Sequence, residues 1–228
     1  MGIHDGHRSR LREKFAEYGL DSFNDINALE MLLFYSIPRK DTNEIAHRLL
    51  EHFGSLHDVF SASTEELMEV PGISFNSAVL ISMLPQMMKK VGISRTRDIR
   101  QINSTYDAAD YLIPRFINEQ DEILLLLCLN NKNEIICCRE VSRGTVNSVD
   151  ASSRRIVELA LKNKAASVIL SHNHPSGIAA PSREDDYITS CIYKALHTVD
   201  IYLEDHIVVA GEKYFSMANA GLLSLMKY

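Results

Sequence analysis

An apolar run followed by two closely spaced histidines constrains the fold more than any other part of the sequence. Residues 165–170 are almost all apolar and predict a strand buried within a sheet. His172 and His174 follow at positions i and i+2. Because side chains alternate between the two faces of a strand, a strand that continues through these residues points both imidazoles to the same side. Pro175 and Gly177 then end the strand and turn the chain.

A carboxylate follows this turn at a distance that suits a metal site. The sequence has helical periodicity from Ser182, and the predicted helix returns over the end of the strand with Asp185 in its first turn. Two imidazoles and one carboxylate with an open fourth position are the ligands of a catalytic zinc site. We therefore predict one Zn²⁺ per chain, held by His172, His174 and Asp185. Asp186 is the alternate ligand if the helix register differs by one residue.

The composition is that of a soluble globular protein. The 228 residues, of which 46% are hydrophobic and 24% charged, suffice for one large domain or two smaller ones. The formal net charge of −6 provides no general attraction to phosphate backbones, so binding to nucleic acid requires a local basic patch. No apolar run is long enough to span a bilayer, and we expect no membrane contact.

The N-terminus and the cysteines both predict a cytoplasmic protein. Residues 1–7 are polar and lack the apolar core of a signal peptide, and Gly6 stands where a myristoylation signal has Ser or Thr. No two cysteines form a Cys-x-x-Cys pair, which favours buried, reduced thiols over disulfides or structural zinc. The cysteines are Cys128, Cys137, Cys138 and Cys191.

Residues 1–92 are predicted to form a small helical domain. Helical patterns cover residues 8–18, 28–35 (with Asn27 as N-cap), 42–53, 64–70 and 75–90. The turn Val70-Pro71-Gly72-Ile73 resembles the hairpin of a helix-hairpin-helix module, in which backbone N–H groups approach a DNA phosphate. However, Ser74 replaces the usual second glycine, and no basic residue is adjacent. We expect mainly a packing or protein-contact module, with weak DNA contact through residues 1–100 as the alternative.

Residues 93–103 are predicted to link this domain to a second one. The segment is polar and weakly periodic, and it carries Arg95, Arg97 and Arg100. An exposed basic linker is the simplest interpretation, and phosphate contact is the second.

Residues 104–228 alternate between strand and helix patterns, which predicts an α/β or α+β domain. Predicted helices cover residues 104–116, 152–162 and 182–196, and a short helix ends the chain. Predicted strands cover residues 122–129, 134–141, 167–170, 199–203, 206–210 and 213–216.

This half resembles the JAMM/MPN-type metalloproteins. Glu140, His172, His174, Ser182 and Asp185 match, in order and type, the signature glutamate … His-x-His … Ser-x-x-Asp. Within that superfamily nearly the whole chain is similar to the RadC family (UPF0758). The matching segments are residues 129–136, Arg143-Gly144-Thr145-Val146-Asn147-Ser148, Leu170-Ser171-His172-Asn173-His174-Pro175-Ser176-Gly177 and Asp205-His206-Ile207-Val208-Val209, with the turn at residues 70–73.

The resemblance implies a fold and a chemistry. The fold is a cytidine-deaminase-like JAB/MPN mixed sheet with flanking helices, preceded by a small all-α domain. The chemistry is that of a zinc metallopeptidase or isopeptidase, which cleaves a peptide or protein amide with a zinc-activated water. Glu140 is the implied general base, and the Ser182 hydroxyl is a candidate for stabilising the oxyanion. His206 either orients a metal ligand or is a core histidine.

Two departures from the family pattern affect the expected substrate preference. Ser152-Ser153 replaces a His-Pro pair, and Ile178 replaces an acidic residue. An HNH nuclease is excluded, because that motif spreads its three residues over tens of positions. The remaining alternative is a DNA repair or recombination accessory protein whose MPN domain binds metal without catalysis.

Overall fold

A computed structural model of the chain describes residues 3–144 and 149–226, and side chains are not described for residues 3–5 and 149–152. The Thr145–Ser148 part of the Gly-Thr motif and the Ser152 side chain therefore lie outside the described residues. The chain separates into two compact units, Met1–Met87 and Met88–Tyr228. The predicted bounds of 1–92, 93–103 and 104–228 stay a prediction.

The first unit is helical, as predicted. Its core is formed by apolar residues at helical spacing, mostly leucines and isoleucines, among them the fully buried Leu29, Leu49 and Ile81. None of the described helices of the chain is long and apolar enough to cross a membrane. The helices are α1 (Ile3–Tyr18), α2 (Asp25–Leu33), α3 (Asn43–Phe53), α4 (Leu56–Ser61), α5 (Thr64–Glu69) and α6 (Phe75–Arg95), which continues into the second unit, with a 3-10 helix at Leu20–Ser22.

The capping residues observed at α5 and α2 agree with the sequence-based prediction in the first case and differ from it in the second. Ser63 and Glu66 form the expected capping box at the start of α5. At α2 the cap is Asn24, whose side chain accepts a hydrogen bond from the backbone N–H of Asn27, so the predicted cap at Asn27 is corrected. Sequence analysis also missed α4, which is too short to show a helical period.

The predicted turn between α5 and α6 is a type II turn. The backbone N–H of Ile73 donates to the carbonyl of Val70, with Pro71 in the second position and Gly72 in the third. Gly72 has φ +103, and a Cβ there would lie 3.0 Å from the side chain of Ile45. Only glycine meets both demands without strain.

The second unit is built on one five-stranded mixed sheet with the order β2-β1-β3-β4-β5. Pairing is antiparallel except between β3 and β4, which are parallel. The strands are β1 (Ile123–Leu129), β2 (Ile135–Arg143), β3 (Ser167–Asn173), β4 (Tyr202–Ala210) and β5 (Lys213–Ser216). The helices are α7 (Thr105–Leu112), α8 (Val149–Lys162), α9 (Arg183–His197) and α10 (Leu222–Leu225), with a 3-10 helix at Ile113–Phe116.

The structure corrects the predicted bounds of one strand, β4, and of one helix, α8. The predicted strands 199–203 and 206–210 form the single strand β4, in which Glu204 falls at a register shift. The charged residue that broke the pattern, Asp205, is buried and accepts hydrogen bonds from Ser216 and Ala218. Helix α8 begins at Val149 rather than at residue 152.

Apolar side chains cover both faces of the sheet, which explains the continuous apolar runs in β1 and β3. Leu124, Leu126 and Leu170 pack with residues of α8 and α9, and we call this side the α9 face. Leu125 and Leu127 pack with residues of α7, and we call this side the α7 face. Each strand residue can thus be assigned to a face from its register.

The backbone conformations of Gly72 and Gly6 predict that substitution by alanine has opposite effects on the free energy of unfolding at the two positions. We expect Gly72→Ala to lower the free energy of unfolding by about 1–3 kcal/mol, because alanine is strained at that φ. Gly6→Ala, inside α1 with only Arg10 at 3.6 Å, should raise it by about 0.5–1 kcal/mol. Urea unfolding followed by circular dichroism measures both, and equal effects would contradict this account of the turn.

Candidate metal centre

The end of β3 positions the two predicted histidine ligands. His172 is 7% exposed, and β3 is paired on both sides there, with Leu124 of β1 and Val208 of β4 as its partners. The backbone N–H of His174 donates to the carbonyl of Val209 at 2.7 Å, which extends the pairing beyond the last residue of the strand. Both rings lie on one side, with their Nε2 atoms 2.9 Å apart.

The first turn of α9 supplies the carboxylate. Ser182 caps this helix, and both its N–H and its hydroxyl donate to Asp185 Oδ2, at 2.7 and 2.6 Å. Asp185 Oδ1 lies 3.3 Å from His172 Nε2, and Oδ2 lies 3.6 Å from His174 Nε2. The structure therefore brings the three predicted ligands together, with their ligand atoms within 4.8 Å of one another. Asp186 is not part of this group.

Asp185 is held as an anion. Burial acts to raise the pKa of this carboxyl, but the hydrogen bonds with His172 and Ser182 outweigh it. The pKa of Asp185 therefore lies well below its ordinary value. An ionised carboxylate is the form that binds a metal ion.

A buried hydrogen-bond chain behind the histidines sets their protons. His206 Nε2 lies 2.8 Å from His172 Nδ1, and His206 Nδ1 lies 2.6 Å from the hydroxyl of Thr189. That hydroxyl donates its one hydrogen to the backbone carbonyl of Asp185, at 2.5 Å. It can therefore only accept from His206, which must carry its proton on Nδ1. His206, for which the sequence left two roles open, thus contacts a predicted metal ligand, His172, directly.

The tautomers of His172 and His174 also follow from their hydrogen-bond partners. Burial, reinforced by the neighbouring His172, lowers the pKa of His206 to about 3, so the ring is neutral and its Nε2 accepts from His172 Nδ1–H. His174 Nδ1 lies 2.9 Å from the carbonyl of Ile178 and donates to it. These tautomers are assigned from the hydrogen-bond partners.

The arrangement fits a metal ion. In their neutral forms both His172 and His174 present an unprotonated Nε2 to the other, beside the Asp185 carboxylate. Three electron-rich atoms this close require a cation between them, either a proton or a metal ion. Two imidazole nitrogens and one carboxylate form a donor set suited to Zn²⁺.

The structure does not bring Glu140 to this centre. Its register partner on β1 is Leu125, so Glu140 belongs to the α7 face, whereas His172 pairs with Leu124 on the α9 face. A register shift between Leu124 and Leu125 adds a residue to β2 at this point. Arg143 holds the Glu140 carboxylate with two hydrogen bonds, of 3.2 and 2.9 Å.

A different glutamate, Glu122, lines the cavity that contains the three candidate ligands, which we call the metal cavity. The cavity has a volume of about 390 Å³, and Glu122 lines it together with both histidines, Ser182 and Asp185. Among the described residues, no hydrogen bond or ion pair engages the Glu122 carboxylate. Glu184 is a second carboxylate at this cavity.

The residue between the two histidines fixes the backbone on both sides of Glu122. The Asn173 side chain accepts from the N–H of Ile123 at 2.7 Å and donates to the carbonyl of Asp121 at 2.9 Å. Sequence analysis missed Glu122, although it lies two residues before Leu124 and therefore has the strand alternation of the α9 face. The spacing between Glu122 and Leu124 indicates the metal cavity only once the pairing of β1 with β3 is known, because that pairing places Leu124 beside His172.

Comparison with known proteins assigns both units. The family model described as a RadC-like JAB domain matches residues 102–222, and the UPF0758 N-terminal model matches residues 6–79. A UPF0758 protein of Pseudoalteromonas translucida is 36% identical over 214 residues, which cover 94% of this chain and 96% of the relative. One from Fusobacterium nucleatum is 36% identical over 225 residues, covering 96% and 97%. One from Ruegeria pomeroyi is 34% identical over 218 residues, covering 95% and 97%. The chain therefore belongs to the UPF0758 family, and its C-terminal domain is a RadC-like JAB domain.

Proposed function

We propose that this protein is a zinc-dependent metallohydrolase that cleaves an amide bond of a peptide or protein. The observation that carries the proposal is the convergence of two imidazole nitrogens and one carboxylate at one cavity. His172, His174 and Asp185 would hold the ion. When bound, Zn²⁺ supplies Lewis acidity, which polarises a carbonyl and lowers the pKa of water to about 7.

Glu122 takes the role of general base in this proposal. It accepts a proton from the attacking water and passes it to the leaving amine, as a carboxylate in the same cavity can do. Its carboxylate is available, whereas that of Glu140 is engaged by Arg143. The clamp that Asn173 provides on the neighbouring backbone supports a fixed position for this base.

Ser182 acts first on Asp185. Its single hydroxyl hydrogen is donated to Asp185 Oδ2 at 2.6 Å, which orients the carboxylate toward the histidines. Stabilisation of an oxyanion by the same hydroxyl stays a prediction, since it requires that hydrogen to leave Asp185.

The cavity walls fit a peptide-like substrate. Ile123, Leu124 and Ile188 provide apolar surface beside the charged groups. Ile178 contributes its carbonyl to His174, while its side chain is 66% exposed. The family departure at this position therefore changes the surface next to the ligand without removing a ligand contact, which supports an effect on substrate preference.

The DNA-associated alternative stays a prediction. It requires contact through residues 1–100, which include the type II turn at residues 70–73. A cytoplasmic location also stays a prediction.

The Thr189 hydroxyl should tune metal affinity through His206. Thr189→Val removes the acceptor of His206 Nδ1–H, so we expect zinc affinity to fall by about 10–100-fold. Thr189→Ser retains the hydroxyl and should bind zinc like the wild type. Competition with a chromophoric chelator measures both affinities. Equal losses in the two variants would show that the site depends on packing rather than on the hydroxyl.

Two glutamate variants separate binding from catalysis. We expect Glu122→Gln to retain zinc but to lose about 10²–10⁴-fold in hydrolysis, because glutamine cannot accept the proton. Glu140→Gln should retain both. Zinc content is measured by elemental analysis, and hydrolysis by amine release from a mixed peptide library. An active Glu122→Gln protein beside an inactive Glu140→Gln protein would reverse the assignment of the base.

A further inference from the structure

A second cavity in the Met88–Tyr228 unit is lined by three arginines. It has a volume of about 420 Å³ and shares no lining residue with the metal cavity. Arg97 and Arg100 come from the segment after α6, and Arg115 comes from the 3-10 helix that follows α7. Residues separated in the sequence therefore bring three positive charges to one concave site.

These charges lack a counterion in the described part of the chain. None of the three arginines forms an ion pair with a described carboxylate, whereas Arg48 and Arg143 each pair with glutamates. The chain as a whole carries a formal net charge of −6, so acidic partners are abundant elsewhere. Three guanidinium groups around one cavity repel one another unless an anion lies between them.

Arg115 is held in a fixed orientation at this cavity. Its guanidinium carbon lies 3.5 Å from the centre of the Tyr111 ring, and its Nη1 donates to the Tyr111 carbonyl. The same Nη1 lies 3.4 Å from the hydroxyl of Thr96, which itself donates to the carbonyl of Ile93 at 3.0 Å. Thr96 is buried, so this support is part of the protein interior.

The lining provides further donors and an apolar wall. Tyr111 lines the cavity with a phenol that is protonated at neutral pH and can donate a hydrogen bond, and burial raises its pKa further. Ile93, Ile99 and Ile135 contribute apolar surface to the same cavity. A ligand for this site therefore has a charged end and a less polar body.

We propose that this cavity binds a phosphate monoester of nucleotide size. The planar fork of arginine matches phosphate oxygens in bidentate geometry. A monoester carries a charge of about −1.5 to −2 at neutral pH, which balances three guanidinium groups better than the single charge of a diester. The volume of about 420 Å³ lies in the range of small-ligand sites. The phosphate comes either from a free mononucleotide or from the phosphorylated 5′ end of a nucleic-acid strand.

Calorimetric titration of the full-length protein with adenosine 5′-monophosphate tests this site. A chelator is present throughout, so that no metal ion binds the phosphate. We expect binding of the monophosphate and none of adenosine. Arg115→Gln, which removes one charged hydrogen-bond donor, and the double variant Arg97→Gln/Arg100→Gln, which removes two, should each weaken binding by about tenfold or more. Arg154→Gln, an equal charge change at a residue that is 83% exposed on α8, should leave affinity unchanged.

Controls keep the result interpretable. Thermal unfolding checks that each variant folds, and the double variant changes only exposed side chains, so it decides the outcome if Arg115→Gln is unstable. A 5′-phosphorylated oligonucleotide and its unphosphorylated form identify the source of the phosphate. The proposal is overturned if the monophosphate does not bind, if adenosine binds equally well, if Arg154→Gln weakens binding as much as the cavity variants do, or if both oligonucleotides bind and do so with equal affinity. Binding of the phosphorylated oligonucleotide alone assigns the phosphate to a strand end, and binding of neither oligonucleotide assigns it to a free mononucleotide.

Discussion

The pairing of β3 on both sides is the constraint on which the metal centre depends. β3 is hydrogen-bonded to β1 and to β4, and this pairing continues through His172, while the N–H of His174 bonds to β4 beyond the end of the strand. Strand alternation then places both imidazoles over the same face. The backbone of His172 is therefore fixed within the sheet. His174 lies just beyond the strand, where its N–H bonds to β4 and its ring bonds to the Ile178 carbonyl of the following loop.

The second element of rigidity is a set of hydrogen bonds that ties α9 and β4 to this strand. His206 of β4 bonds to His172, Thr189 of α9 bonds to His206, and the same Thr189 hydroxyl bonds to the Asp185 carbonyl. Two of the three candidate ligands are thus connected through buried groups whose proton positions are determined by their partners. Preorganised ligands of this kind lose little conformational freedom when an ion binds. Asn173 extends the fixed region to the backbone around Glu122.

Most of the fold and the convergence of the three candidate ligands could be predicted because they depend on local periodicity. The alternation at His172 and His174, and the helix start at Ser182 that places Asp185, are readable from neighbouring residues alone. The choice of a candidate base is different, since it depends on which face of another strand a glutamate occupies. The extra residue in β2 assigns Glu140 to the α7 face, and only the register between β1 and β3 shows that Glu122 has the alternation of the α9 face.

The sequence predicts two strands in place of β4, because the charged residues Glu204 and Asp205 interrupt its apolar pattern. The bulge at Glu204 and the buried hydrogen-bond partners of Asp205 are tertiary features that the sequence pattern does not show. The cavity with Arg97, Arg100 and Arg115 is also tertiary, as its residues come from separate segments.

The central claim is that His172, His174 and Asp185 form a metal site, and zinc content tests it most directly. The purified protein is equilibrated with Zn²⁺, freed of unbound metal and analysed by mass spectrometry, together with His174→Ala and with His57→Ala, a change at an exposed histidine in the helical unit. The account predicts one zinc per chain in the wild type and in His57→Ala, and little or none in His174→Ala. Equal zinc in all three proteins would contradict it.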